Sequence, residues 1–572
     1  KMPNVGKPSK GCKNCRDRKV KCDLKRPSCT QCLRIGKECH GYRDPLTMMF
    51  RNESDVVARK AKMRYQELSK AKEQKLPHRA VACGNQLSES ESCTSSPSSS
   101  SDIDYQLVPA QQYVRPGSVV WEMMPSLEDQ GVSFFYSNYV QPPKFIPRGQ
   151  FDFLIDVMNK PDTKKIVQSS VTAAGLAGLA NSTKCQVVMK RAQEEYVSAL
   201  SMVNRALQVP DSAKTDDTLI SVIMLGMYEN FMYQGKDPMT AWARHVNGAC
   251  ALMAMRGPDL FKGTIGTRIM AQYYGTILLV ALERGTPVPA GMAELWRTGA
   301  ASRDYRASGK EWTTQLVMFM TKAINLSQFP GSLVDKVALA TKFDRELDEV
   351  KTLLPNTWLY EKVYLDDPVE FIYGNCYHIY LDPWIAQMWN NLRIIRASLH
   401  GSICDSVFKG LKSNPPLFSK SEAQALLKIS LAYLRRAQNG ICASTPQITG
   451  QIPFPDPPPA TQISAFTSLA DQINPLDPKF KLQPPGTYLG GGRASPGMHH
   501  LIWPLYTCGR IHPCPKELQE WIIDRLYFIA LKMGTRQATY LAEELKNLSP
   551  RSPLPDFLDL PQIVEHDPIR WS

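Results

Sequence analysis

Six cysteines, Cys12, Cys15, Cys22, Cys29, Cys32 and Cys39, fall within one 28-residue stretch, with two, six, six, two and six residues between successive members. That ruler belongs to metal chemistry. Thiolate is the preferred soft ligand of zinc, and a structural zinc takes about four ligands in a tetrahedron. Six sulfurs can serve two ions only when two of them bridge both. The stretch also repeats itself, because Cys12, Cys15 and Cys22 become Cys29, Cys32 and Cys39 when each is advanced by 17 residues. Two similar loop-and-helix units around one metal core are expected.

Other uses of six cysteines fit less well. Disulfides belong to oxidising compartments, and residues 1–10 lack the apolar core of a signal peptide. A zinc ribbon or RING would bring more ligands, normally including histidines. The run Gly11-Cys12-Lys13-Asn14-Cys15-Arg16-Asp17-Arg18-Lys19-Val20-Lys21-Cys22-Asp23, followed by Pro27, Cys29, Cys32, Gly36, Cys39, Gly41 and Tyr42, resembles the fungal zinc binuclear cluster of transcription regulators. The resemblance implies two structural zinc ions, with Cys12 and Cys29 as the bridging sulfurs and the other four terminal. It also implies a helix opened by Cys15 that enters the DNA major groove, with Arg18 and Lys19 at its tip reading guanines in CGG-like triplets. Arg and Lys are the side chains that donate to guanine O6 and N7.

Charge points the same way. Residues 1–43 hold 13 Lys and Arg against three acids, and residues 44–79 hold nine against five. The first 79 residues thus carry the whole net charge of +14, while the remaining 493 balance at 46 against 46. A basic head on a neutral body is the footprint of a nucleic-acid binder. Lys10, Lys13, Arg16, Lys21, Lys25 and Arg26 are the expected phosphate contacts, which position without reading sequence.

The chain divides into a cluster at 8–43, a basic linker helix at 44–79, a Ser-rich disordered linker at 80–118, a helical domain at 119–548 and a tail at 549–572. Between Asp55 and Lys75 the heptad is poor, since Arg64 and Lys75 land on its seam; a solvated basic helix is the reading, and a homodimer through it stays open. Ser88 to Asp104 is too polar to bury a core. In the tail, Asp556-Phe557-Leu558-Asp559-Leu560 alternates acids with bulky apolar groups, which suits a coactivator or corepressor groove or a tail docked on its own domain.

Between these, the chain reads as mainly α. Apolar positions recur every three or four residues over Thr183–Val209, Thr218–Tyr233, Arg268–Arg284, Glu311–Leu326, Leu333–Leu354, Val369–Leu399, Ser421–Arg436 and Lys516–Leu545. Asp237 and Pro238 can open a helix that Gly257 and Pro258 end. No alternating strand pattern intervenes, and the Pro- and Gly-rich residues 444–498 read as a long loop. No apolar run approaches the roughly 18 residues of a membrane span, so a soluble intracellular chain is expected. Trp242, His245, Gly248 and Ala249 with Arg256-Gly257, and Leu501 to Tyr506, are loosely similar to the fungus-specific domain that follows zinc clusters. That resemblance implies a regulatory helical array.

No catalytic residues are expected. His245 and Cys250 lie five positions apart with no third orienting group, and read as a packed histidine and a buried thiol. His499, His500, Cys508, His512 and Cys514 match no zinc spacing. The expectation is a nuclear, sequence-specific DNA-binding regulator of RNA polymerase II transcription, with double-stranded DNA as first partner and no membrane. The resemblance adds a pathway-specific role, such as secondary metabolism. The competing reading is a helical scaffold whose zinc module docks a protein.

Overall fold

The computed structural model describes residues 12–25, 28–39, 125–143, 149–161, 163–233, 238–302, 309–455 and 496–548. Outside these lie the basic helix expected at 44–79, the Ser-rich linker, the tail, Asp237 and most of the Pro- and Gly-rich stretch. The cysteine module and the helical body are taken one at a time.

In the module, two five-residue helices, α1 (Lys13–Asp17) and α2 (Thr30–Arg34), each carry the second cysteine of a Cys-x-x-Cys pair. The body begins with α3 (Leu127–Tyr139) and α4 (Phe153–Met158). It continues through α5 (Lys165–Thr183), α6 (Gln186–Gln208), the short α7 (Pro210–Ala213), α8 (Asp216–Met232) and α9 (Pro238–Arg256). Next come α10 (Thr264–Arg284), α11 (Met292–Ser302), α12 (Lys310–Ser327) and α13 (Leu333–Glu349).

A hairpin of β1 (Glu361–Tyr364) and β2 (Cys376–Ile379) precedes α14 (Pro383–Leu411) and α15 (Lys420–Ile448). The chain closes on α16 (Ile502–Arg510), α17 (Lys516–Met533) and α18 (Arg536–Lys546).

Helix starts follow local chemistry. The Ser332 and Ser419 hydroxyls accept from the Asp335 and Glu422 amides at 3.1 and 3.2 Å. Asp382 accepts from Trp384 N at 2.8 Å ahead of Pro383. Each side chain satisfies an amide that the first helical turn leaves without a partner.

The centre of the body is α5, buried almost all round, which a surface helix with one apolar stripe cannot be. Its Ala- and Gly-rich run lets neighbours approach closely. A Cβ on Gly175 would stand 2.0 Å from the Gly131 carbonyl of α3, and one on Gly534 would stand 1.9 Å from the Gly178 carbonyl. Among the described residues one helix, α10, is long and apolar enough to cross a membrane by length and composition. Ile269, Met270, Tyr273, Tyr274, Ile277 and Leu278 of that helix are buried in the core of the body.

Three expectations are corrected. Val369–Leu399 is not one helix: β2 occupies Cys376–Ile379 and α14 starts at Pro383. The register pairs Val363 with Tyr377, and both pack with Ile372, Ile379 and Ile452 in a small separate core. Strands of four residues are too short to leave a legible alternation, and burial of the β2 side chains decides the matter. Secondly, α15 runs to Ile448 through Pro446, into the stretch read as a loop from 444. Residues Ile441 to Ile448 are all buried, and that packing outweighs the lost amide. Thirdly, Lys516–Leu545 is two helices broken at Gly534, whose φ of +64° stops α17.

Candidate metal and nucleic-acid site

Cys12, Cys15, Cys29 and Cys32 are buried, each at most 1% exposed, and their four sulfurs lie within 4.8 Å of one another. Cys12 Sγ is 3.7 Å from Cys29 Sγ and 3.6 Å from Cys32 Sγ, and Cys15 Sγ is 3.7 Å from Cys29 Sγ. A disulfide would need about 2.05 Å. A tetrahedron with Zn–S bonds of about 2.3 Å has an edge of about 3.8 Å, so the sulfurs stand where zinc would hold them.

The half-buried Cys22 interacts with Cys15 and Cys29, and the half-buried Cys39 with Cys32. Cys12 and Cys29 therefore sit between a Cys15–Cys22 side and a Cys32–Cys39 side.

Local structure explains the placement. The backbone at Cys29 is extended, and its sulfur accepts from Cys32 N at 3.4 Å, so a ligand also caps α2. Asn14 donates from Nδ2 to the Glu38 carbonyl at 2.8 Å and toward Cys32 Sγ at 3.6 Å, tying the two halves together. Asp23 accepts from Thr30 N at 3.2 Å, and its contact with the Thr30 hydroxyl holds its carboxyl below the usual range. Neither Asn14 nor Asp23 was singled out from sequence, since single polar residues among many give no periodic or spacing signal.

The 17-residue repeat returns in the backbone. Val20 N donates to Cys15 O at 2.9 Å, and Lys37 N donates to Cys32 O at 3.1 Å. Both are the long closing bond of a helix that ends on a left-handed residue. That residue is Gly36 in the second half, at φ +63°, and Lys19 in the first, at φ +54°.

Burial pushes the Cys12, Cys15, Cys29 and Cys32 thiols up. At Cys22 burial acts in the same sense, but hydrogen bonds with the Cys12 and Leu24 backbones outweigh it and hold the thiol below its usual value. Packed thiolates repel, so only a bound cation makes their ionised form the stable one. The donor set therefore fits zinc.

Around this core Lys13, Arg18, Lys19, Lys21 and Lys25 are all exposed, and Arg16 lies on α1. Lys10 and Arg26 lie outside the described residues. The helix starts at Lys13 rather than at Cys15, and Arg18 and Lys19 form the turn immediately after it.

The family model of the fungal Zn(2)-Cys(6) binuclear cluster domain matches residues 10–48, and that of the fungal specific transcription factor domain matches residues 146–276. The chain carries a fungal binuclear zinc cluster ahead of a fungal transcription factor domain. It is a DNA-binding transcription regulator of the fungal zinc-cluster kind, and its cluster binds two zinc ions. No curated protein and no solved structure matches the chain.

The matched transcription factor domain of this regulator spans α4 to α9 and the first part of α10. Within it, burial lowers the His245 pKa and raises that of Cys250 to about 12, which leaves a neutral ring and an inert thiol. Farther along, Cys508 is buried with its thiol toward the Gln438 carbonyl, whereas the His499 and His500 rings lie 4.0 Å apart.

Proposed function

We propose that the regulator reads CGG-like triplets in the major groove through Arg18 and Lys19, on a cluster in which Cys12 and Cys29 bridge two zinc ions held by all six cysteines. The observation that carries this reading is the left-handed turn at Lys19. That turn sets Arg18 and Lys19 side by side in solvent at the end of α1, next to the buried sulfurs, and a lysine occupies it where the matching turn of the second half has Gly36. The intermediate position of Cys12 and Cys29 among the sulfurs supports their bridging role. Zinc when bound supplies cross-linking and positive charge, with no reaction to catalyse.

Lys10, Lys13, Arg16, Lys21, Lys25 and Arg26 position the module on phosphates, while the neutral body leaves DNA contact to the basic head. The boundaries at 8–43, 44–79, 80–118, 119–548 and 549–572 mark reading head, basic extension, tether, regulatory body and coregulator tail. The regulator works in the nucleus as a non-enzyme, singly or paired.

Selection of bound sites from random duplexes tests the reading. CGG-like triplets should be enriched, and their number and spacing report one copy or two. Arg18→Ala should then cost about 1–3 kcal/mol on the selected site and much less on unrelated DNA. Recovery of no preferred sequence, with Arg18→Ala silent, would point instead to a module that docks protein.

A further inference from the structure

A cavity of about 180 Å³ lies inside the helical body, walled by residues from α3, α8 to α12, α14, α16 and α18. The wall is aromatic, with Trp242, Trp296, Trp384, Trp503, Tyr139 and Phe231 contributing, and among the described residues no Asp, Glu, Lys or Arg lines it. An ionised guest would lose its hydration there with no opposite charge to replace it. Neutral guests are favoured. Cavities of roughly this volume, about 150 Å³, admit a benzene-sized ring.

Three polar side chains give the cavity direction. His499, His500 and Gln537 line it, and each carries a buried nitrogen that no protein group among the described residues reaches: Nδ1 of His499, Nε2 of His500 and Nε2 of Gln537. Gln537 is 5% exposed. Donation from Gln387 Nε2 to His500 Nδ1 at 3.1 Å leaves hydrogen on Nε2 of His500. The His499 ring is kept neutral by burial, and no described group meets its Nδ1. The cavity thus offers two N–H donors and the unpartnered Nδ1 of a neutral imidazole on an aromatic wall. Buried polar atoms are ordinarily paired, and unmade bonds gathered on one cavity point to a ligand that makes them.

We propose that this cavity is a binding site for a neutral one- or two-ring aromatic compound bearing a carbonyl oxygen, which accepts from His500 and Gln537, and a hydroxyl, which pairs with His499. The ring stacks among tryptophans and the oxygens fix its orientation. Because the wall draws on helices spread along the whole body, occupancy stabilises their mutual packing and raises the melting temperature.

Calorimetry and thermal melting of the zinc-loaded full chain with 6-hydroxy-1-tetralone test this. The compound should bind saturably at one site and raise Tm. Naphthalene should bind more weakly, and 6-hydroxy-2-naphthoate should not bind. His499→Phe and Gln537→Leu should each weaken binding by about tenfold through a lost hydrogen bond.

Gly275 lines the cavity, and a Cβ there meets nothing within 4 Å. Gly275→Leu should therefore fold with Tm kept or raised, yet weaken binding by at least about tenfold by filling the space. Absence of saturable binding would overturn the proposal, as would binding left unchanged by both Gly275→Leu and Gln537→Leu. DNA affinity, measured on the same preparations, reports the zinc module separately and is expected to be unaltered.

Discussion

Lys19 holds a backbone conformation that costs a side-chain-bearing residue about 1–2 kcal/mol. The equivalent turn in the second half of the module uses Gly36, so the fold does not require lysine there. Lys19→Gly should therefore leave the zinc-loaded module as stable or about 1 kcal/mol more stable, read from its urea midpoint, while DNA affinity falls. Movement of both quantities in opposite directions is the signature of a side chain kept for contact. A gain in both would remove Lys19 from the interface. Arg18 lies one residue earlier and needs no such strain. Its φ is not among the positive values, so its substitution tests contact alone.

At the scale of elements, small residues decide how closely helices pack. On α5 a Cβ at Gly175 would collide with the Gly131 carbonyl, a backbone atom that cannot swing aside. Gly175→Ala should cost more than about 3 kcal/mol by forcing α3 from α5. On α10, Gly275→Ala meets open space and should gain up to about 1 kcal/mol from helix propensity. Thermal midpoints of the two variants should shift in opposite directions although the substitution is the same.

The hairpin shows a related dependence. Arg393 of α14 is buried, donates to Asn390 at 2.7 Å and to the Tyr380 hydroxyl at 2.9 Å, and lies over the Tyr360 and Trp389 rings. Gly440 of α15 leaves room for it, since a Cβ there would come 2.5 Å from Arg393 Nε. Periodicity showed α14 and α15 as helices but not this joint between them. A lone arginine and a lone glycine separated by nearly fifty residues leave no pattern.

For the whole molecule, charge and buried histidines make two separable statements. The excess of +14 within the first 79 residues predicts DNA affinity that falls steeply with salt, by about 0.9 log units per log unit of salt for each phosphate neutralised. A flat response between low and physiological salt would contradict the basic-head reading. In the body, burial lowers the pKa of His499 to about 4, and it also lowers His245, His378 and His500.

The unfolded chain takes up these protons below about pH 6.5, whereas the folded body resists them, so stability drains as pH falls from 7 toward 5. His499 alone should contribute about 2 kcal/mol of that loss at pH 5. His499→Phe should flatten the fall in Tm over this range, a comparison made by melting both proteins at pH 7 and pH 5.

The residues determined the metal module by themselves because ligation is local. Sulfurs a few positions apart close short loops, thiolate chemistry selects the ion, and the 17-residue repeat foretold two halves whose helix ends match. Helical periodicity likewise announced most of the body, since each amphipathic segment carries its own record of a buried face. Tertiary structure alone decided the hairpin, the glycine crossings and the aromatic cavity. Tyr139 donates to the Met533 carbonyl across 394 positions at 2.6 Å, and His499 stacks with Phe151 from the other end of the domain. Such meetings depend on how many helices pack at once, and no window of sequence contains the energy that arranges them.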